Sequence, residues 1–328
     1  MKRLLVLFFA ILLLLVGCTD KSGIASSEVA TTPSMTPPAP PEQPQPTGEV
    51  YRILFSSDVH CTDLRTYSNV ENDTRLQHWV DSILAEHARE PIDLLVINGD
   101  TSLDHVEGGG AILSGRAVTT QTLIDDYISQ LPAEISIFIM PGNHEQHSHA
   151  NWYSITGNKR QGYRVLGDNL FVFLDTYNAD LNPKTNHNGV YSGVDQSYIK
   201  ALMESYPTHN VYLISHYFDI TTEGAPFQEL LFQNRRIIGL FHGHTHRASV
   251  NHLGLIYGNK TIAQTGNFSY PNPEEATAFW GFRELVITED SAYSRYIVVP
   301  SSQLVGSALY LRRRTMYPIL YYGTMPED

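Results

Sequence analysis

Several short, unbroken apolar runs each end in residues of little use for packing, and this constrains the chain most. Arg52-Ile53-Leu54-Phe55-Ser56-Ser57, Asp93-Leu94-Leu95-Val96-Ile97 and Ile135-Ser136-Ile137-Phe138-Ile139-Met140 have strand length and too little alternation for a sheet with one wet face. Between the first two, residues 73–89 place Leu76, Trp79, Val80, Ile83 and Leu84 at helical spacing, with Asp73 positioned to cap the start. Strand, amphipathic helix and strand predict a parallel pair with a right-handed crossover. Ligands of such sheets gather beyond the carboxyl ends of the strands, so what stands there bears on function.

The strand ends carry a consistent cargo. The first run delivers Asp58-Val59-His60, the second Asn98-Gly99-Asp100 and the third Pro141-Gly142-Asn143-His144-Glu145. Helices are expected over 120–131 and 196–206, and a strand over Leu170 to Leu174 ends at Asp175. Val211-Tyr212-Leu213-Ile214 leads into Ser215-His216, and Ile237-Ile238-Gly239-Leu240 leads into Phe241-His242-Gly243-His244-Thr245-His246. Imidazole is the commonest metal-binding side chain, and alternation lets His244 and His246 face one cavity. After His246 the segments 255–257, 260–264, 279–288 and 293–299 read as strands without long helices between them, which predicts a second, largely antiparallel sheet.

Taken singly these fragments are common turn sequences. In this combination and order they resemble the calcineurin-like metallophosphoesterases, and the resemblance spans Arg52 to Val299. It implies an α/β fold, a four-layer α/β/β/α sandwich of two mixed sheets with helices outside. It also implies two divalent or trivalent metal ions (manganese, iron or zinc), with Asp58, His60 and His246 on the first, Asn143, His216 and His244 on the second, and Asp100 bridging both. Hydrolysis of a small phosphoester, monoester or diester, by a hydroxide held between the metals is the implied reaction. His144 resembles the family residue that contacts phosphate and protonates the leaving group, and Glu145 takes the place of the acidic residue that orients that histidine. The alternative is a binding scaffold that keeps the fold without the chemistry. Such scaffolds usually lack a ligand or the acid histidine, and here all are present.

Neighbouring residues read less functionally. Asp104 stands one place later than the family's second aspartate and is expected to be structural. Cys61 is expected to be a packed thiol, and His242 to stand behind the ligands. His105, His147 and His149 read as solvated loop histidines at the mouth of the site, and Asn267, Tyr270 and Trp280 as residues that could rim it.

The ends of the chain add location. Lys2-Arg3, the apolar stretch from Leu4 to Val16 and Gly17-Cys18 make residues 1–18 an expected export signal, because the apolar part is short of the roughly 20 residues that span a bilayer. Leu15-Val16-Gly17-Cys18 resembles the bacterial lipobox, which implies lipidation of Cys18 and a membrane-anchored protein facing the extracytoplasmic side. Residues 19–48, rich in Ser, Thr and Pro, read as a tether, residues 49–300 as the catalytic domain, and residues 301–328 as a strand or hairpin packed on it. A formal net charge of −12 disfavours a nucleic-acid polymer as partner. With Cys18 and Cys61 as its two cysteines, the chain has no disulfide framework.

Overall fold

Alternation along the first strand already separates two packing layers. The computed structural model describes residues 50–62, 66, 67, 70–105, 119–181, 188–269, 280–289 and 291–299. In chain order, β1 (Tyr51–Ser56) is followed by a small hairpin of β2 (Thr66–Tyr67) and β3 (Val70–Glu71), then α1 (Asn72–Arg89), β4 (Leu94–Asn98), the short α2 (Thr120–Thr122) and β5 (Ser136–Met140). Next come α3 (His149–Thr156), β6 (Gly162–Leu166), β7 (Asn169–Leu174), α4 (Gln196–Ser205), β8 (Asn210–Ser215), α5 (Ile220–Gln233) and β9 (Ile237–His242). β10 (Val250–His252), β11 (Thr261–Gln264), β12 (Gly281–Ile287) and β13 (Ala292–Val298) complete the described chain.

Two mixed sheets result. The first has the order β13-β12-β1-β4-β5, and the second β10-β11-β9-β8-β7-β6. β1, β4 and β5 are parallel, as are β7, β8, β9 and β11. Leu54, Leu95 and Ile97 turn outward onto Leu76, Trp79 and Ile83 of α1. Ile53, Phe55, Val96 and Phe138 turn inward to meet Phe171, Phe173, Tyr212 and Phe241 of the other sheet. The inner layer is closed by stacked rings, Phe55 on Phe241 at 4.5 Å and Phe138 on Phe173 at 3.9 Å between centroids. On the far side, Leu170, Val172, Leu213 and Leu240 pack under Ile199, Leu202, Phe227 and Leu231 of α4 and α5. This is the expected α/β/β/α sandwich, with the parallel strands of both sheets ending on one edge.

Several expectations need correction. The last strands do not build a sheet of their own. β12 and β13 return to the first sheet, with β12 antiparallel to β1. The reason is that β12 is buried on both faces: Phe282 joins the α1 layer and Leu285 the layer between the sheets, so a doubly covered position beside β1 suits it. Leu255–Tyr257 is a 3-10 turn rather than a strand, and Gly258 beyond it takes a left-handed φ of 65°. The helix expected over 120–131 is split into α2, a wide π turn at Leu123–Tyr127 and a tight 3-10 turn at Ile128–Gln130. Asp73 lies inside the first turn of α1, where its carboxylate accepts from the Tyr127 hydroxyl at 3.0 Å and suits the helix dipole without capping the end. Residues 1–18, 19–48 and 301–328 lie outside the described residues.

Candidate metal centre

The loops that leave β1, β4, β5, β8 and β9 meet at the shared edge of the two sheets. Asp58, His60, Asp100, His244 and His246 all have left-handed backbones, with φ between 48° and 64°. Among the described non-glycine residues only Asn259 joins them. Each such residue costs about 1–2 kcal/mol and persists only where its surroundings over-determine it. Here they do. Asp58 N–H donates to the Gly99 carbonyl and His60 N–H to the Asp100 carbonyl, both at 3.1 Å, which binds the loop after β1 to the loop after β4. Buried Arg75 of α1 donates to the carbonyls of Val59 at 2.5 Å, His60 at 2.8 Å and Phe268 at 2.6 Å. Arg75 was not legible in the sequence, where it looks like any polar residue of an amphipathic helix.

Three overlapping groups of ligand atoms form: Asp58, His60 and His246; His60, Asp100 and His144; Asp100, His216 and His244. Within each group the atoms lie within 4.8 Å of one another. Asp58 Oδ2 accepts from the Ser57 hydroxyl and from His244 N–H at 2.9 Å. Its Oδ1, which accepts no hydrogen bond among the described residues, faces His246 Nε2 at 3.2 Å. Asp100 Oδ2 stands 3.1 Å from His216 Nε2, 3.5 Å from His144 Nε2 and 3.7 Å from His60 Nε2. Asn143 Oδ1 lies 3.1 Å from His216 Nε2 and 2.9 Å from His244 Nδ1. All seven ligands expected from the sequence are therefore brought together, with Asp100 in the middle.

The donor set fits metal cations. His216 Nδ1 lies 2.9 Å from the Asn98 carbonyl, which can only accept, so Nδ1 carries the hydrogen and Nε2 presents a lone pair. That lone pair, Asp100 Oδ2 and Asn143 Oδ1 point at the same space, an arrangement that calls for positive charge. In the bare chain a proton on His216 supplies it: burial pulls this imidazole down, and Asp100 overrides that and pushes it up to about 10. Burial opposes ionisation of Asp100 too, yet His216 and His144 hold its carboxyl well below the usual range. Burial keeps His60 and His244 neutral, each near 4, as ligation of a cation requires. Hard oxygen and imidazole donors suit manganese, iron and zinc. Close backbone approach completes the cradle, since a Cβ at Gly142 would stand 2.2 Å from Asp100 Oδ1.

Glu145 departs from its expected role. Its carboxylate does not reach the His144 ring; it accepts from the backbone N–H of Asp100, Ser102 and Gly142 at 2.8–3.0 Å and from the Thr101 hydroxyl at 3.1 Å. Burial, aided by Asp100 and Asp104, pushes it up to about 8, against the pull of the Ser102 and Gly142 N–H groups. Its place in the sequence beside His144 misleads because consecutive residues of this loop point in different directions. His105, expected in solvent, is buried with Nδ1 3.0 Å from His144 Nδ1. Burial first, and then the nearby His144, pushes His105 down to about 4. His147, also expected in solvent, binds Asp104 Oδ2 at 2.7 Å, while Asp104 Oδ1 accepts from Thr120 N–H at 2.9 Å. His149 is exposed.

Other residues fall around this frame. Cys61 is packed in the α1 layer. His242 is buried against Tyr217 and Phe218, and burial pushes it down to about 3. Asn267 donates to the His246 carbonyl at 2.9 Å, so it braces a ligand loop. Trp280 is core, stacked on Phe268 at 5.3 Å, and does not rim the site. Tyr270 lies outside the described residues. Tyr177, Tyr191 and Tyr217 were not singled out in the sequence. They form a contiguous aromatic wall beside the group of Asp100, His216 and His244, with Tyr217 4.7 Å from His244.

The sequence pattern of the calcineurin-like phosphoesterase family matches residues 51–280. A curated relative, the probable cyclic nucleotide phosphodiesterase of Pseudoalteromonas sp. (strain SM9913), is 23% identical over 204 residues, which make up 57% of this chain and 70% of the relative. A solved dimetal phosphatase from Danio rerio is similar with a TM-score of 0.54 at 15% identity, covering 75% of this chain and 95% of its own. A purple acid phosphatase from yellow lupin (Lupinus luteus) seeds gives a TM-score of 0.49 at 13% identity, over 83% of this chain and 53% of its own. At these identities the zebrafish structure speaks for the fold alone. Because the family pattern runs from β1 through the ligand loops to the start of β12, the chain belongs to the calcineurin-like phosphoesterases and is a metal-dependent phosphoester hydrolase.

Proposed function

We propose that this protein hydrolyses a small phosphodiester at two cation positions that share Asp100. The observation that carries the reading is the overlap of the ligand groups: His60 and Asp100 each belong to two of the three. Asp58, His60 and His246 would hold one cation, Asn143, His216 and His244 the other, and Asp100, which faces both groups, would be shared between them. Cations bound there would supply an activated water for attack on phosphorus and would neutralise charge on the phosphoryl oxygens. The chain's own residues do the rest. His216, fixed by Asn98, keeps its ring in one tautomer. His144 is partly exposed and presents Nε2 toward Asp100, so it is the group placed to hand a proton to the leaving oxygen.

The diester preference is supported by the name of the Pseudoalteromonas relative and by the tyrosine wall. Tyr217 and Tyr191 are partly exposed, and aromatic surface beside the site suits a planar group on the ester. Full-length protein loaded with manganese should cleave bis-p-nitrophenyl phosphate faster than p-nitrophenyl phosphate, and cyclic nucleotides should compete. Faster monoester cleavage would redirect the reading to a phosphatase, and no cleavage with both metals bound would return the inactive scaffold. The proposed place of action is outside the cytoplasm, on the strength of Lys2-Arg3, the apolar run and Gly17-Cys18 alone. Incorporation of labelled palmitate that persists in Cys18→Ser would overturn that anchor.

A further inference from the structure

A histidine that transfers a proton needs its ring held, and Glu145, the residue expected to do so, is fully engaged with backbone amides of the neighbouring loops. Asp104 is engaged as well, between His147 and Thr120. What touches the His144 ring is His105. Their Nδ1 atoms are 3.0 Å apart, the ring centroids 4.4 Å apart and the ring planes 30° apart. The contact is fixed from the backbone, because His105 N–H donates to the His144 carbonyl at 3.0 Å. His105 is 7% exposed, so water competes little for its Nδ1, while the His144 side chain is 15% exposed and reaches toward Asp100.

We propose that His105 is the positioning residue of His144. Two ring nitrogens at this distance share one hydrogen, so one donates and the other accepts. The arrangement that serves proton transfer has His144 Nδ1–H donating to the bare Nδ1 of His105. His144 then gives its Nε2 proton to the leaving oxygen and passes from imidazolium to neutral imidazole, keeping Nδ1–H on His105 throughout. The leaving oxygen departs as a neutral alcohol and the ring does not rotate away. This inference rests on the proposed role of His144 in that reaction.

The test uses full-length, manganese-loaded protein and compares parent, His105→Leu and His105→Asn. Asparagine can offer its carbonyl oxygen near the position of the His105 Nδ1 acceptor, whereas leucine removes it. Diesters with a phenol leaving group need the proton, and those with p-nitrophenol need it far less. His105→Leu should therefore lose about 10–100-fold more kcat on the phenyl ester than on the p-nitrophenyl ester. His105→Asn should recover most of that difference, with metal content equal in all three. A second readout is independent of turnover: ring 15N spectra of labelled histidine in the same three proteins loaded with diamagnetic zinc in place of manganese, with His144 identified by its loss in His144→Gln. The His144 Nδ1 signal should move toward an averaged tautomer in His105→Leu and return in His105→Asn. Equal losses on both esters, or an unmoved His144 signal, would overturn the proposal. Should the parent cleave neither ester, the functional reading fails, and the ring spectrum alone decides whether His105 fixes His144.

Discussion

His216 Nδ1 lies 2.9 Å from the Asn98 carbonyl, so the end of a strand in one sheet sets the tautomer of a histidine delivered by the other. Gly99 makes this approach possible, since a Cβ there would stand 2.4 Å from the same nitrogen. The consequence is a proposed ligand whose ring is held in one orientation. His216→Ala is expected to lose one of the proposed pair of cations and at least about 100-fold in kcat, more than loss of a supporting hydrogen bond would cost. Metal analysis per chain, run beside turnover, checks this. Full metal content with undiminished turnover would remove His216 from the ligand set.

Gly142 tests the same cradle from the backbone side. Its φ is not left-handed, so an alanine there meets no torsional penalty, only the 2.2 Å approach to Asp100 Oδ1 and 2.5 Å to Asp100 N. Gly142→Ala should displace Asp100 and weaken metal binding about 10–100-fold. Titration with manganese, followed by the rise of activity, measures it. An unchanged titration would mean that the loop after β5 has room to retreat.

Arg75 carries a stability prediction. Its guanidinium satisfies the carbonyls of Val59, His60 and Phe268 and accompanies Asn72 Oδ1 at 2.8 Å, all within the protein. Arg75→Met keeps much of the volume and strands those acceptors, at a cost of about 3 kcal/mol. For a domain of this size that lowers Tm by about 6–12 °C. Calorimetry of the metal-free protein reads the effect without any contribution from bound cations.

How much of this was legible in the sequence depended on how local the signal is. Asp58, Asp100, Asn143 and His244 stand where a buried run stops, and a short window of chain shows both the run and the residue. Their convergence follows from parallel strands ending on one edge, which the strand–helix–strand pattern already implied. Arg75 was passed over and His105 misread because their meaning lies in partners far along the chain, Phe268 for the first and His144 for the second. The return of β12 to β1 is a pairing across most of the domain, which no window reveals. α5 was missed because Gly224, at φ 65° and ψ −159°, and Pro226 break its periodicity.

The last prediction concerns acid stability and lies away from the ligand edge. Glu284 of β12 is buried and accepts from Arg52 Nε at 2.6 Å and from Arg295 Nε, with Arg89 Nη2 at 3.3 Å. Burial pushes its carboxyl up, but Arg295 and Arg52 outweigh burial and hold it below the usual value of 4.5. A carboxyl depressed by folding stabilises the native state above its unfolded pKa and loses that contribution as pH falls through the folded one. The parent should therefore lose stability steadily below about pH 4.5. Glu284→Gln removes the negative charge between three guanidinium groups and should cost about 3–5 kcal/mol at pH 7. It should also lack the acid slope that Glu284 contributes, so the denaturation midpoints of parent and variant draw together between pH 5 and pH 3. Midpoints that fall in parallel over that range would mean that the arginines do not stabilise the ionised form of Glu284.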